Sequence, residues 1–205
     1  MGLRKALRLY VITARGDREE VRRVREALEG GATSIQLRAK SVTAREAYLA
    51  GRQIRKLTRE YGALFFVDDR IDLAIALDAD GVQLGPGDIP IEVAKNVVPN
   101  LIVGASVYSV DEALKAEELG ADYLGAGAVF STPTKPEARV LGLGGLREVV
   151  KRVSIPVVAI GGITHENAGE VMKTGVDGVA VISTVMCAPD VKKATQELKN
   201  VVGGV

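Results

Sequence analysis

The stretch that decides the fold begins Leu64-Phe65-Phe66-Val67-Asp68-Asp69-Arg70, continues through a short apolar helix pattern, and ends Gly81-Val82-Gln83-Leu84-Gly85-Pro86-Gly87-Asp88. Its two apolar runs are short, and acidic residues follow each of them closely. Short apolar runs of this composition are typical of strands buried on both faces of a parallel sheet. If the two strands are neighbours, their ends lie roughly 5 Å apart. Carboxylates that follow both strands could then reach one cation.

The same alternation of strand and helix patterns runs along the whole chain. Apolar strand patterns lie at Leu9–Thr13, Ser34–Leu37, Leu64–Val67, Val82–Leu84, Ile102–Ser106, Tyr123–Ala126, Pro156–Ile160 and Gly178–Val181. Helix patterns follow them at Asp17–Glu29, Thr43–Glu60, Ile71–Leu77, Ile91–Val98, Asp111–Leu119, Gly145–Arg152, Glu166–Thr174 and Asp190–Val201. Parallel strands need helical, right-handed crossovers, so this order predicts a closed α/β barrel of the (βα)8 TIM type.

We expect residues 1–205 to form a single TIM-barrel catalytic domain. The alternative is an open, doubly wound sheet, but no long linker or change of composition supports it. In a barrel of this type, function belongs to the loops that follow the strands.

The composition restricts the partners and the compartment. The chain has 205 residues, with 27 Lys and Arg against 26 Asp and Glu, so nothing indicates nucleic acid or an anionic membrane as a partner. A single cysteine, Cys187, excludes an internal disulfide, and the lack of a signal or spanning segment favours the cytoplasm. The oligomeric state, including a homo-oligomer, stays open.

We expect Cys187 to be a small buried thiol. The only histidine, His165, is expected to be solvated in the first turn of a helix, and a mechanism that needs two histidines is excluded.

Charged residues collect at the ends of the second, third and fourth strand patterns. Asp69 and Asp88 offer hard oxygen ligands, which favour Mg²⁺ over zinc. Alternatively, Asp69 caps the helix that begins at Ile71, and Asp88 ends a Gly-Pro-Gly turn. Arg38 and Lys40 follow the adjacent strand, and Lys135 lies in the loop after the sixth strand. Cations around a magnesium site suit a diphosphate group.

The opposite side of the same rim carries glycine-rich loops. Gly161-Gly162-Ile163-Thr164 follows the seventh strand and Ser183-Thr184 follows the eighth. Loops at these positions commonly bind phosphate in barrels, through backbone N–H groups and a short helix N-terminus. The alternative is two ordinary tight turns. Gln36, a polar residue in an apolar strand, could either satisfy a core neighbour or pair with a heterocycle.

Together these residues resemble the thiamine-phosphate synthase family over nearly the whole chain. The resemblance rests on Gln36-Leu37-Arg38-Ala39-Lys40, Asp69-Arg70-Ile71-Asp72-Leu73-Ala74, Gly81 to Asp88, Ala121-Asp122-Tyr123, Thr132-Pro133-Thr134-Lys135, Ala159-Ile160-Gly161-Gly162-Ile163 and Val181-Ile182-Ser183. It implies a βα barrel that joins hydroxymethylpyrimidine diphosphate to a thiazole phosphate and releases diphosphate. The implied route is dissociative and dependent on Mg²⁺.

The resemblance also implies a role for each matching residue. Asp69 and Asp88 would hold Mg²⁺, and Ser106, Lys135 and Arg38 would be catalytic. The pyrimidine diphosphate would be bound by Gln36, Arg38, Lys40, Asp68, Ser106 and Lys135. The thiazole phosphate would be bound by Thr132, Thr134, Gly162, Ile182 and Ser183.

The chain departs from the family pattern at several positions. Asp68 stands where the family usually has Asn, and Gln83 and Pro86 replace a usual His and Gln. Tyr108 stands where relatives often have His. The alternative functions are a thiazole tautomerase, expected to use that His, and a noncatalytic phosphate-binding barrel, which would not need Asp69 and Asp88.

Overall fold

The computed structural model describes residues 2–132 and 139–204, and its strands close into a barrel. The strands are β1 Leu9–Ile12, β2 Ser34–Leu37, β3 Leu64–Asp68, β4 Gly81–Leu84, β5 Ile102–Val107, β6 Tyr123–Ala126, β7 Val157–Ile160 and β8 Gly178–Val181. Each is parallel to its neighbours in chain order, and β8 pairs with β1. The predicted TIM barrel is therefore confirmed.

Ten helices are present in the described part of the chain. They are α1 Leu3–Ala6, α2 Glu20–Gly30, α3 Ala44–Tyr61, α4 Ile71–Ala76, α5 Ile91–Val97, α6 Val110–Glu118, α7 Gly142–Arg152, α8 Ala168–Met172, α9 Ser183–Met186 and α10 Val191–Gly203. The sequence patterns did not predict α1 and α9, because four residues are too few to show a helical repeat.

Side-chain caps fix where several of these helices begin. Thr43 accepts a hydrogen bond from the Glu46 amide, and the Glu46 carboxylate accepts one from the Thr43 amide at 2.8 Å, which is a capping box. Asp17 instead accepts bonds from the Glu19 and Glu20 amides, at 3.0 and 3.2 Å. These bonds make a turn, so α2 begins at Glu20 rather than at Asp17 as predicted.

Both faces of the strands are buried, as their apolar composition predicts. One hydrophobic core lies between the strands and the outer helices, and a smaller one fills the barrel. Three aromatic rings dominate the inner core, with the ring centroids of Tyr10 and Phe66 5.2 Å apart and those of Phe66 and Tyr123 5.4 Å apart. Their bulk is accommodated by glycine in the sheet, because a β-carbon at Gly104 would lie 2.3 Å from Cζ of Tyr123.

The two ends of the barrel carry different groups of residues. At the amino ends of the strands, α1 brings Leu3 and Leu7 against the inner core. At the carboxyl ends, β3 and β4 are neighbours with Asp68 opposite Gln83, so the acidic stretch lies on one rim as the sequence predicts. Within residues 2–132 and 139–204, no helix has the length and apolar character needed to cross a membrane.

Candidate functional site

Two acids and two cations meet at the carboxyl ends of β2 and β3. The Lys40 ammonium donates a hydrogen bond to Oδ2 of Asp69 and lies 3.6 Å from Oδ2 of Asp68. Nε of Arg38 lies 4.0 Å from the same Asp68 oxygen. The structure thus brings together four of the residues predicted for the diphosphate and metal site, and it ties Asp68 to Lys40 more closely than to Arg38.

Arg38 is held in place by Thr13, which no sequence motif marks as a site residue. The Thr13 hydroxyl accepts a hydrogen bond from the Arg38 amide at 2.8 Å and donates one to the Arg38 carbonyl at 3.1 Å. Thr13 is fully buried just after β1. It therefore fixes the backbone from which the guanidinium extends, through a contact between residues 25 positions apart.

Asp69 adopts a backbone conformation that is unusual for a residue with a side chain. Its φ is +59°, in the left-handed region, and its amide donates to the Gln83 carbonyl at 2.8 Å. Such conformations concentrate at functional sites. The alternative helix-cap role is wrong, because the N-cap of α4 is Arg70 and that helix has no side-chain cap.

Asp88 belongs to the loop after β4. Its Oδ2 accepts a hydrogen bond from the Gly85 amide at 2.6 Å, which confirms the alternative in which Asp88 closes the Gly-Pro-Gly turn. A carboxylate has about four lone-pair positions, so this bond leaves capacity for a cation. The turn and metal roles are therefore compatible.

The electrostatics of the cluster centre on Asp68. Burial raises the pKa of the Asp68 carboxyl, Lys40 and Arg38 oppose that rise, and the negative charge of Asp88 adds to it. The loop after β4 therefore contributes negative charge to the surroundings of Asp68. In the described residues, no group of three or more His, Cys, Asp and Glu side chains is arranged to hold a metal. Asp69 and Asp88 suit Mg²⁺ as hard oxygen ligands, because this ion usually takes only one or two protein carboxylates and completes its shell with water and phosphate oxygens.

A second polar group lies deeper, inside the barrel. Gln36 is almost fully buried, and its Nε2 donates to the Tyr10 hydroxyl at 3.1 Å. The Tyr10 and Tyr123 hydroxyls are 3.1 Å apart, and burial raises the pKa of both phenols, so both stay protonated. Gln36 therefore does form a hydrogen bond with a core neighbour. Because that bond uses Nε2, the carbonyl oxygen Oε1 remains available to accept a hydrogen bond from a ligand.

Ser106 is held by Gln83, a residue that departs from the usual family pattern. Nε2 of Gln83 donates to the Ser106 hydroxyl at 3.0 Å. Gln83 leans across Gly104, where a β-carbon would lie 2.2 Å from its Oε1. A polar residue in a buried strand was the sequence signal that could have identified this pair.

The loops after β7 and β8 form one connected unit on the other side of the rim. The Thr184 hydroxyl donates to the Ile163 carbonyl at 2.6 Å, which joins the two loops. Asn167 accepts from the Thr164 amide at 2.8 Å and donates to the Gly162 carbonyl at 2.9 Å. Neither Asn167 nor the role of Thr184 followed from the sequence, because both contacts depend on loop geometry.

Glycine is required in the first of these loops. Gly161 and Gly162 have φ values of +98° and +65°, and a β-carbon at Gly162 would lie 2.7 Å from Cβ of Phe130. The second loop leads into α9, which begins at Ser183 with Ile182 as its N-cap. The first amides of a helix have no carbonyl partner within it, so they are available to an anion.

The remaining predicted residues have different outcomes. Ile182 is half-buried, Ser183 is exposed, and Thr132 is half-buried in the loop after β6. Thr134 and Lys135 lie outside the described residues. The prediction for Cys187 is wrong, because this thiol is exposed at the end of α9. His165 is not a fully solvated residue either, since its Nε2 lies 2.9 Å from the Ala194 carbonyl of α10.

A (βα)8 barrel with clustered acids and cations on one side of its rim, and connected glycine-rich loops on the other, is typical of enzymes that act on phosphorylated small molecules. The comparisons with known proteins specify the family. A family model described as thiamine monophosphate synthase matches residues 9–185. The chain belongs to this family.

Individual relatives agree over nearly the full length. The thiamine-phosphate synthases of Pyrococcus furiosus and Pyrococcus abyssi are 67% and 64% identical to this chain over 202 residues, covering 98% of each sequence. A solved structure titled thiamine phosphate pyrophosphorylase from Pyrococcus furiosus superposes with a TM-score of 0.93 at 64% identity, covering 99% of this chain and 98% of that one. The activity is thus that of a thiamine-phosphate synthase, a transferase of thiamine biosynthesis that acts on small molecules. The tautomerase and the noncatalytic barrel are not favoured.

Proposed function

We propose that the enzyme joins hydroxymethylpyrimidine diphosphate to a thiazole phosphate and releases diphosphate, in a dissociative substitution that depends on Mg²⁺. The observation that carries this proposal is the cluster of Arg38, Lys40, Asp68 and Asp69 on one rim. Here two cations converge on two acids beside a third, Asp88, as a diphosphate with its metal would require.

We assign Asp69 and Asp88 to Mg²⁺, with Arg38, Lys40 and Lys135 binding the diphosphate. When bound, the ion would neutralise part of the charge on the leaving group. The ion pair between Lys40 and Asp69 links diphosphate binding to metal binding. When substrate binds, Lys40 would exchange its carboxylate partner for a diphosphate oxygen, which frees Asp69 for the metal. Asp68, next to Lys40, would keep that ammonium oriented.

We assign the aminopyrimidine to the inner polar group. Because Nε2 of Gln36 donates to Tyr10, Oε1 of Gln36 would be the atom that accepts a hydrogen bond from an exocyclic amine. Ser106, fixed by Gln83, would lie beside the bond that breaks. Departure of diphosphate leaves a cation that the electron-rich aminopyrimidine stabilises.

The second half of the reaction needs no base. The thiazole nitrogen already carries a lone pair, so it can attack the pyrimidine cation directly. This agrees with a rim on which the only histidine is bound to α10. Ser106, Lys135 and Arg38 would act by positioning the reacting groups and by stabilising charge on the leaving group.

We assign the thiazole phosphate to Thr132, Thr134, Gly162, Ile182 and Ser183. The connected loops after β7 and β8 support this assignment, because the Thr184 to Ile163 bond holds both loops around one point. We also propose that residues 1–205 act as one catalytic domain in the cytoplasm. A homo-oligomer is compatible with this proposal.

The test of the metal assignment is Asp69→Asn. Asparagine tolerates the left-handed φ of this position, whereas alanine would add backbone strain, so Asn removes only the charge. We expect kcat/KM to fall at least about a hundredfold, because a metal ligand contributes several kcal/mol to the transition state.

The matched control is Asp72→Asn, three residues further along, where the carboxylate is exposed and paired with Arg70. Its kinetics should stay within about twofold of the unmodified enzyme, as usual for a surface ion pair. Near-normal turnover in Asp69→Asn would contradict the assignment.

A further inference from the structure

Helix α2 begins at the rim, between the two halves of the proposed active site. It follows β1, and β1 pairs with β2 on one side and with β8 on the other. The loop after β2 carries proposed diphosphate residues, and the loop after β8 carries part of the proposed thiazole phosphate site. Near the start of α2, Glu20 and Arg23 each form hydrogen bonds to backbone groups on one of these two sides.

The Glu20 carboxylate holds the loop after β1. Glu20 is only 2% exposed, and its two oxygens accept hydrogen bonds from the amides of Ala14, Arg15 and Gly16, at 3.0, 2.8 and 2.6 Å. Hydrogen bonds to a carboxylate are roughly twice as strong as those between neutral groups. Three such bonds to one buried side chain therefore restrict the conformation of this loop.

The same loop packs against the backbone that carries Arg38. A β-carbon at Gly16 would lie 2.4 Å from the Arg38 carbonyl oxygen and 2.9 Å from Cα of Ala39. At the start of the loop, the Thr13 hydroxyl bonds to both the amide and the carbonyl of Arg38. The loop thus contacts the diphosphate side of the rim at two points, and Glu20 fixes the loop that makes both contacts.

Arg23 holds the other side, at the end of α9. Its Nε donates to the Met186 carbonyl at 2.9 Å, and its Nη2 donates to the Ala188 carbonyl at 2.6 Å. The last carbonyls of a helix have no partner within it, so Arg23 supplies donors that α9 itself lacks. Because α9 has four residues, it is roughly 6 Å long, and a shift of this end would also move Ser183 at the other end.

We propose that Glu20 and Arg23 are positioning residues for the two substrates. Glu20 sets the geometry of the diphosphate site through the loop after β1, and Arg23 sets that of the thiazole phosphate site through α9. This assignment rests on the proposed function. The alternative is that both residues only stabilise the fold, Arg23 as a cap of the α9 C-terminus. The two roles predict different kinetics, because a loss of stability alone favours neither substrate.

The experiment measures KM for each substrate in Glu20→Gln and in Arg23→Gln, at a temperature at which the variants are folded. Glutamine at position 20 presents an NH2 donor to amides that need an acceptor. We expect Glu20→Gln to raise KM for the pyrimidine diphosphate at least about fivefold and to change KM for the thiazole phosphate less than about twofold, since a misplacement of about 1 Å can cost a hundredfold in rate. Arg23→Gln should have the opposite selectivity.

The matched controls are Glu19→Gln and Arg22→Gln, which remove the same charges from adjacent positions. Both side chains are exposed, and they form surface ion pairs with Arg15 and Glu26. Both KM values should stay within about twofold of the unmodified enzyme, as usual for surface ion pairs.

Two milder substitutions decide the outcome if a glutamine variant does not fold. Glu20→Asp keeps the charge on a side chain one carbon shorter, and Arg23→Lys keeps the charge but replaces the guanidinium fork with one ammonium. Each should raise the same KM as its glutamine variant, by a smaller factor. Equal rises in both KM values, or a lower melting temperature with both KM values unchanged, would refute the positioning roles.

Arg38→Gln and Ser183→Ala test the proposed sites themselves. The first should raise KM for the pyrimidine diphosphate, and the second should raise KM for the thiazole phosphate. If both do so while the Glu20 and Arg23 variants leave these constants unchanged, the positioning roles are refuted and the proposed function stands. If neither does so, the proposed sites are wrong and the positioning roles fail with them.

Discussion

Gly104→Ala tests how the inner core positions the proposed pyrimidine site. The added β-carbon would lie 2.2 Å from Oε1 of Gln83 and 2.3 Å from Cζ of Tyr123. Neither side chain can move easily. Tyr123 is 1% exposed and packs against Phe66, and Gln83 is bonded to Ser106.

The magnitude follows from these contacts. Overpacking a dense core costs about 1 to 3 kcal/mol, and each displaced hydrogen bond adds about 1 kcal/mol. We therefore expect Gly104→Ala to lose about 2 to 4 kcal/mol of unfolding free energy. For a domain of this size that corresponds to a fall of about 4 to 16 °C in melting temperature.

The assay combines thermal unfolding with steady-state kinetics. Because displacement of Gln83 releases the Ser106 hydroxyl, KM for the pyrimidine diphosphate should rise together with the loss of stability. Gly144→Ala is the control, since beyond the adjacent residues and the nearby backbone of its own helix no atom lies within 4 Å of a β-carbon there. It should stabilise the protein by about 0.5 to 1 kcal/mol. A Gly104→Ala enzyme with unchanged melting temperature and kinetics would refute the packing and the role of Gln83.

Three further substitutions have defined outcomes. Burial raises the pKa of Asp68, so this carboxyl keeps its proton to higher pH in the folded protein than in the unfolded chain. The free energy of unfolding therefore falls as pH rises through the folded pKa, and Asp68→Asn removes this loss. Denaturant titrations should show the variant gaining stability over the parent from acid to neutral pH, with synthesis retained, and a constant difference would contradict this. Thr184→Val removes the bond to the Ile163 carbonyl and should cost about 1 kcal/mol and raise KM for the thiazole phosphate, whereas an unchanged KM would separate this bond from phosphate binding. Tyr10→Phe leaves Nε2 of Gln36 buried without its partner and should cost about 1 to 3 kcal/mol by thermal unfolding, so a stability equal to the parent would contradict the inner network.

The barrel and its rim could be predicted because they depend on local patterns. Strand and helix periodicities alternate eight times, and parallel strands place the residues after each strand on one rim. This is why Asp68 and Asp69 were correctly brought together with Arg38 and Lys40, although these pairs are separated by about 30 positions. The short helices α1 and α9 lacked any such pattern.

The contacts that hold the site could not be predicted, because they depend on how distant segments pack. Thr13 holds Arg38, and Gln83 of β4 holds Ser106 of the neighbouring strand β5. Glu20 lies within the helix pattern at Asp17–Glu29, which gives no sign that its carboxylate is buried and accepts hydrogen bonds from three backbone amides of the loop after β1. Conversely, the Cys187 thiol was expected to be buried, but α9 leaves it exposed.

The most direct test of the central claim is synthesis of thiamine phosphate by the purified protein from hydroxymethylpyrimidine diphosphate and thiazole phosphate, measured in Mg²⁺ and in EDTA. If Asp69 and Asp88 hold a magnesium ion beside the cations of β2, product forms with Mg²⁺, and chelation reduces the rate to background. Equal rates in the two conditions would contradict the metal site at the end of β3. No product in either would contradict the proposed substrates.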